Sequence, residues 1–196
     1  MLRAQHVEAT RRAVLDAARS AFGKQGYAQT SVGEIAAAAG VTKGAVYHHF
    51  NGKEALFRAV HAEVEADALA RTAGAADPAA SPIDQLVRQL NAYLDAALDE
   101  EIQRITLVDG PALLGLEPDL PDYETAQLAM RSFLAGAIER GQLVDVDPDV
   151  LAHLLGGLAL QGGLQIARSA DPDATRAALG PAFDAMLRGL SPDVSR

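Results

Sequence analysis

The chain has 196 residues, with 49% apolar and 22% charged side chains, a balance that specifies a folded globular protein rather than a disordered one. It has no cysteine, which excludes a disulfide scaffold, a thiolate zinc site and a cysteine nucleophile. The net charge is −9 but uneven: residues 1–60 carry eight Lys/Arg against four Asp/Glu, and residues 61–196 carry nine against 22. A basic head on an acidic body suits a chain whose N-terminal part alone meets a polyanion.

The pattern is helical in chain order. Val14, Ala17, Ala18, Ala21 and Phe22 form one stripe at 3.6-residue spacing, ending near Gly23 or Gly26. Ser31 and Glu34 have capping-box spacing before Val32, Ile35, Ala36 and Ala39, and Gly40 closes that short helix. Thr42 caps the next, with Val46 and Phe50 inward, and Asn51–Gly52 marks a turn. A longer helix carries Leu56, Phe57, Val60 and Val64, and Thr72 to Pro82 reads as a loop. Further stripes run from Ile83 to Ala97 and from Glu100 to Val108, the latter breaking at Gly110–Pro111 with Asp109 as its cap. Glu117 to Pro121 is a Pro-interrupted loop, and Met130 to Ile138 is a helix closed by Gly141. Asp147–Pro148 and Asp171–Pro172 each open a helix, since Asp caps well and Pro fits the first helical position. The expected fold is all-α with about nine helices, and no apolar stretch is expected to reach the roughly 18 residues of a membrane span. No apolar leader follows the first Met, so the expected location is the cytoplasm, without membrane contact.

Two short helices joined by Ala39–Gly40–Val41–Thr42 have the helix-turn-helix layout. In that motif the second helix enters the major groove and its first residues reach the bases. Opposite Val46 and Phe50, this helix offers Lys43, Gly44, Tyr47 and His48. Lys43 is equally suited to guanine and to phosphate, whereas Tyr47, His48, His49 and Lys53 suit phosphate. His48 and His49 point about 100° apart with no ligand four residues on, so no metal is expected. Asp145, Asp147 and Asp149 alternate like a calcium loop, but Val150 stands where that loop needs Gly and Gly156 where it needs Glu. No cofactor motif and no HExxH or comparable catalytic pair is present, so no enzyme is expected. The alternatives are a helical enzyme with an unrecognised site and a helical ligand-binding scaffold that never touches DNA.

The run TSVGEIAAAAGVTKGAVYHHFNGKEALF, residues 30–57, with Phe22 and Gly26–Tyr27 before it, resembles the DNA-binding signature of the TetR family. RITLVDGPALLG, residues 104–115, is similar to a regulatory-domain segment of some members. The resemblance implies a three-helix head in residues 1–52 and a larger helical ligand-binding and dimerisation domain in 53–196. It implies a repressor of double-stranded operator DNA, released by an unknown small-molecule effector; an activator is the same design with opposite sign. Thr30, Ser31, Thr42, Lys43, Gly44, Tyr47, His48, His49 and Lys53 match the family's usual DNA contacts. Tyr93, Leu107, Asp109, Leu113, Met130, Phe133 and His153 lie on helices expected to surround the effector, and an apolar pocket with a few acids would suit a hydrophobic or cationic compound. The last two helices would form a homodimer through Leu155, Leu158, Gly162, Phe183, Met186, Leu187 and Leu190. One residue departs from the pattern: Gly33 stands inside the short helix where members often carry a longer polar side chain, at a helix cost of about 1 kcal/mol against Ala.

Overall fold

The structure is a computed structural model that describes residues 2–75, 77–115 and 121–192. It is all-helical, with nine helices and no strand among the described residues. They are α1 (Leu2–Gln29), α2 (Val32–Ala38), α3 (Lys43–His49), α4 (Lys53–Gly74), α5 (Pro82–Ala96), α6, α7 (Pro121–Glu139), α8 (Pro148–Ala167) and α9 (Pro172–Arg188). The helix α6 is continuous but mixed: an α-helical turn Glu100–Ile102, a π-helical stretch Gln103–Asp109 and an α-helical piece Gly110–Leu114.

Local chemistry sets most boundaries. Gly26, at φ 77°, breaks α1, so Tyr27–Gln29 is a separate turn. Ser31 and Glu34 form the full capping box of α2, and Gly40, at φ 68°, ends it. The Thr42 hydroxyl accepts the Ala45 N–H at 3.1 Å and starts α3. Asp147 and Asp171 cap α8 and α9, each followed by Pro in the first turn. Ser81 caps α5 in the same way.

The expected break at Gly110–Pro111 is corrected: both residues are helical and the chain does not turn there. The π-helical stretch ends at Asp109, and Pro111 falls in the first turn of the following α-helical piece, where its missing N–H costs little. Asp109 makes no side-chain cap to that piece. The loop expected at 117–121 lies outside the described residues except for its last residue, Pro121, which opens α7.

The chain divides into two compact units, Met1–Glu65 with Glu100–Glu117, and Ala66–Asp99 with Pro118–Arg196. The expected boundary at residue 52 falls inside the first unit. There, Val14, Leu15, Ala18 and Phe22 of α1 bury with Ile35, Ala36, Val46, Phe50, Leu56, Phe57 and Val60, and Ile102, Ile105 and Leu107 of α6 are buried too. Phe22, Tyr27 and Phe57 form an aromatic cluster with centroids 5.2–5.9 Å apart. In the second unit α9 packs on α5 and α8, and α8 also packs on α5 and α7.

By mean hydropathy α8 is long and apolar enough to cross a membrane, which corrects the expectation that no apolar stretch reaches that length. It packs on three helices, with Leu151, Ala152, Gly162, Gly163, Leu164 and Ile166 buried, which accounts for the apolar residues on one side of it. Gly162 is required by contact: a β-carbon there would stand 2.8 Å from the Phe183 ring and 2.9 Å from Leu94.

Candidate nucleic-acid interface

The helices α2 and α3 have the helix-turn-helix arrangement. Ile35, Ala36, Val46 and Phe50 anchor them to α1, and the turn closes with Val41 N–H donating to Ala36 at 2.9 Å. Anchoring those residues leaves the opposite side of α3 exposed. Lys43, Gly44, Tyr47 and His48 lie on it, Tyr47 being 57% exposed, and His49 is half-buried beside His48. This face can offer hydrogen-bond donors from Lys43, Tyr47 and His48.

The remaining predicted contacts divide. Ser31 and Thr42 are exposed, and each hydroxyl accepts a backbone N–H as a helix cap while keeping its own proton to donate. The Ser31 backbone N–H holds the Glu34 carboxyl below the usual carboxylate range. Thr30 does not join the surface: it is 2% exposed, and its hydroxyl donates to the Gly26 carbonyl at 2.8 Å. It pins the turn after α1. Lys53 is half-buried, with its ammonium 4.1 Å from the centre of the Tyr27 ring. Arg11 similarly lies over Phe50.

Two features of this unit escaped the sequence reading. The first is the attachment of α6 to α1. The Tyr27 N–H donates to the Asp109 carboxylate at 2.7 Å, and Arg19 pairs with Glu101 at 2.7 Å. The second is His61, 3% exposed behind Phe57, with no hydrogen-bond partner for Nδ1. Burial, then the Arg58 charge, pushes its pKa down to about 4, so the ring is neutral at neutral pH. Its sequence signal was its place four residues after Phe57 on the buried stripe of α4.

The predicted pocket residues fall in both units. Leu107 is buried, Asp109 is engaged by Tyr27, and Leu113 is half-buried in the first unit. Tyr93, Met130 and Phe133 are half-buried and His153 is exposed in the second. Of the predicted dimer residues, Gly162, Phe183 and Leu187 are buried within their own chain, Leu155, Leu158 and Leu190 are half-buried, and Met186 is 59% exposed. No group of three or more acidic or His residues able to hold a metal occurs among the described residues.

Comparison with known proteins agrees with this geometry. Residues 14–60 match the family of bacterial regulatory proteins of the tetR type, and residues 83–190 match a tetracyclin repressor-like C-terminal domain. The Transposon Tn10 TetC protein of Escherichia coli is 29% identical over 78% of this chain and 78% of its own length. The A-factor receptor protein of Streptomyces griseus is 30% identical over 95% of this chain, which spans 64% of that relative. A crystal structure of a TetR-family transcriptional regulator from Pectobacterium atrosepticum superposes with a TM-score of 0.83 at 34% identity, covering 95% of this chain and 96% of that one. The chain belongs to the TetR family of bacterial transcriptional regulators, with a helix-turn-helix DNA-binding domain at its N-terminus.

Proposed function

We propose that this regulator is a cytoplasmic repressor that binds a palindromic operator as a homodimer and is released by a small molecule. The observation that carries the reading is the exposed face of α3, where Tyr47, His48 and Gly44, with Lys43 in the first turn, are open to solvent on a helix whose other side is anchored by Val46 and Phe50. Ser31, Thr42, His49 and Lys53 flank it; Thr30 acts behind it. The head of residues 1–52 does the reading, and two heads would meet successive major grooves about 34–36 Å apart.

For the second copy, α8 and α9 offer a face of exposed small and apolar residues. Leu154, Gly157 and Gln161 line it on α8, and Ala178, Ala182 and Met186 on α9, with Leu155, Leu158 and Leu190 half-buried. A nearly uncharged face of this kind suits burial against its own copy. Gly162, Phe183 and Leu187 support the face from beneath.

Effector release is supported by the relative from Streptomyces griseus, which is named as a receptor for A-factor. Tyr93, Met130 and Phe133, half-buried in the second unit, are the side chains that would line the effector site. The effector would favour a state whose head spacing no longer fits the operator, with a coupling of about 1–3 kcal/mol. Sedimentation of the protein with a duplex selected from a randomised library, beside a reporter carrying that duplex in its promoter, tests the reading. The expected result is two chains per duplex and lowered transcription. One chain per duplex, or raised transcription, overturns the dimer or the repressor part respectively.

A further inference from the structure

Gly33, the residue that departs from the family pattern, lies in the first turn of α2, and the side chain of Lys43 folds across it. A β-carbon on Gly33 would stand 2.6 Å from Lys43 Cε and 3.0 Å from Nζ, and the same point is 3.7 Å from Ser31 Oγ. Bare backbone therefore lets the ammonium lie over the first turn of α2, on the side of Gly33 that the Ser31 hydroxyl also approaches, although Lys43 belongs to the groove-facing helix. Both are exposed donors. An ammonium is a compact point charge and suits a phosphate oxygen; reading a guanine edge requires the side chain to extend along α3 instead.

We propose that Gly33 is a specificity-determining residue that acts through Lys43: by leaving the first turn of α2 bare, it commits the Lys43 ammonium, with the Ser31 hydroxyl, to a backbone phosphate rather than to a base. The inference rests on the DNA-binding reading above and deepens it. Adding a methyl group at Gly33 displaces only the end of a flexible side chain, and Ala is the better helix former, so the fold tolerates the change. Lys43 is then driven off α2 towards the groove.

The test is a cycle of wild type, Gly33→Ala, Lys43→Ala and the double variant. Each is measured by thermal melting, by selection from a randomised duplex library, and by affinity across salt concentration on the wild-type-selected duplex. Gly33→Ala should melt at or above wild type. Lys43→Ala should keep the wild-type base preferences, with the salt slope reduced by about one per subunit and affinity down about fivefold per subunit near 0.15 M salt. Gly33→Ala should also weaken binding to the wild-type duplex and gain a preference at one base position. In the Lys43→Ala background it should change neither. A Gly33→Ala effect that is absent, or equal with and without Lys43, overturns the proposal, as does a Lys43→Ala variant that loses a base preference at unchanged slope. Wild-type protein that selects no duplex overturns the DNA reading itself, and this inference with it.

Discussion

The backbone N–H of Tyr27 donates to the carboxylate of Asp109 at 2.7 Å, a bond between residues 82 positions apart. Gly26 makes it possible: its positive φ ends the straight part of α1 and turns the next N–H outward, leaving an unpaired donor at the start of a new turn. Asp109, at the end of the π-helical stretch of α6, supplies the acceptor. It caps a helical turn of another element rather than its own.

Asp109→Ala therefore leaves the part-buried Tyr27 N–H without its charged acceptor. A lost cap of this kind costs about 1–2 kcal/mol. Urea unfolding should show a lowered midpoint at unchanged slope, and Asp109→Asn, which keeps an acceptor oxygen, should recover part of the loss. An unchanged midpoint for Asp109→Ala would mean that the bond contributes nothing net.

Gly110 packs against His61 so closely that a β-carbon would stand 2.6 Å from Nε2 and 3.0 Å from the Ile105 carbonyl. Gly110→Ala should destabilise the first unit by about 1–3 kcal/mol, the usual range for overpacking. Much of that should be recovered when His61 is also shortened to Ala, since the two residues are in contact. Additive losses in the double variant would place the strain at Ile105 instead.

His61 makes stability depend on pH. Its folded pKa, near 4, lies below the ordinary 6.5, chiefly through burial and then through Arg58. Above about pH 6.5 the ring is neutral in both states and the protein keeps its full stability. As pH falls from 6.5 towards 4, the unfolded chain binds a proton that the folded one refuses, so stability drops by about 3 kcal/mol in all. Below 4 this loss levels off. Chemical denaturation between pH 7 and 4 should show a shallower decline for His61→Asn than for wild type; parallel declines would exclude His61 as the cause.

Gly162→Ala tests the second unit. The added methyl meets the Phe183 ring and Leu94, both in packed positions. A loss of about 1–3 kcal/mol is expected by thermal melting. A neutral result would show that α8 can move away from α5 and α9 at little cost.

What the sequence revealed follows the range of the interactions. Ser31 with Glu34, Thr42, and Asp147 with Pro148 act within one turn of themselves, so residue type and spacing alone located them. The helix-turn-helix was legible because its buried positions, Ile35, Ala36, Val46 and Phe50, recur at helical spacing. Thr30 looked like a surface hydroxyl because its acceptor, the Gly26 carbonyl, depends on the kink in α1. Phe183 and Leu187 read as interface residues yet are buried within their own chain, since periodicity identifies an apolar face without saying what covers it. The Asp109–Tyr27 bond and the Lys43 side chain over Gly33 join separate helices, and no local pattern encodes them.

DNA reading by the exposed face of α3 underlies the proposed function. The most direct measurement is fluorescence anisotropy of wild type and Tyr47→Ala on a library-selected duplex and on its scrambled form, from about 50 to 200 mM salt. The expected result is tight, salt-sensitive wild-type binding that prefers the selected duplex, with that binding weakened about tenfold or more in Tyr47→Ala while both proteins melt alike. Equal affinity for the two duplexes, or a Tyr47→Ala variant that binds like wild type, would contradict it.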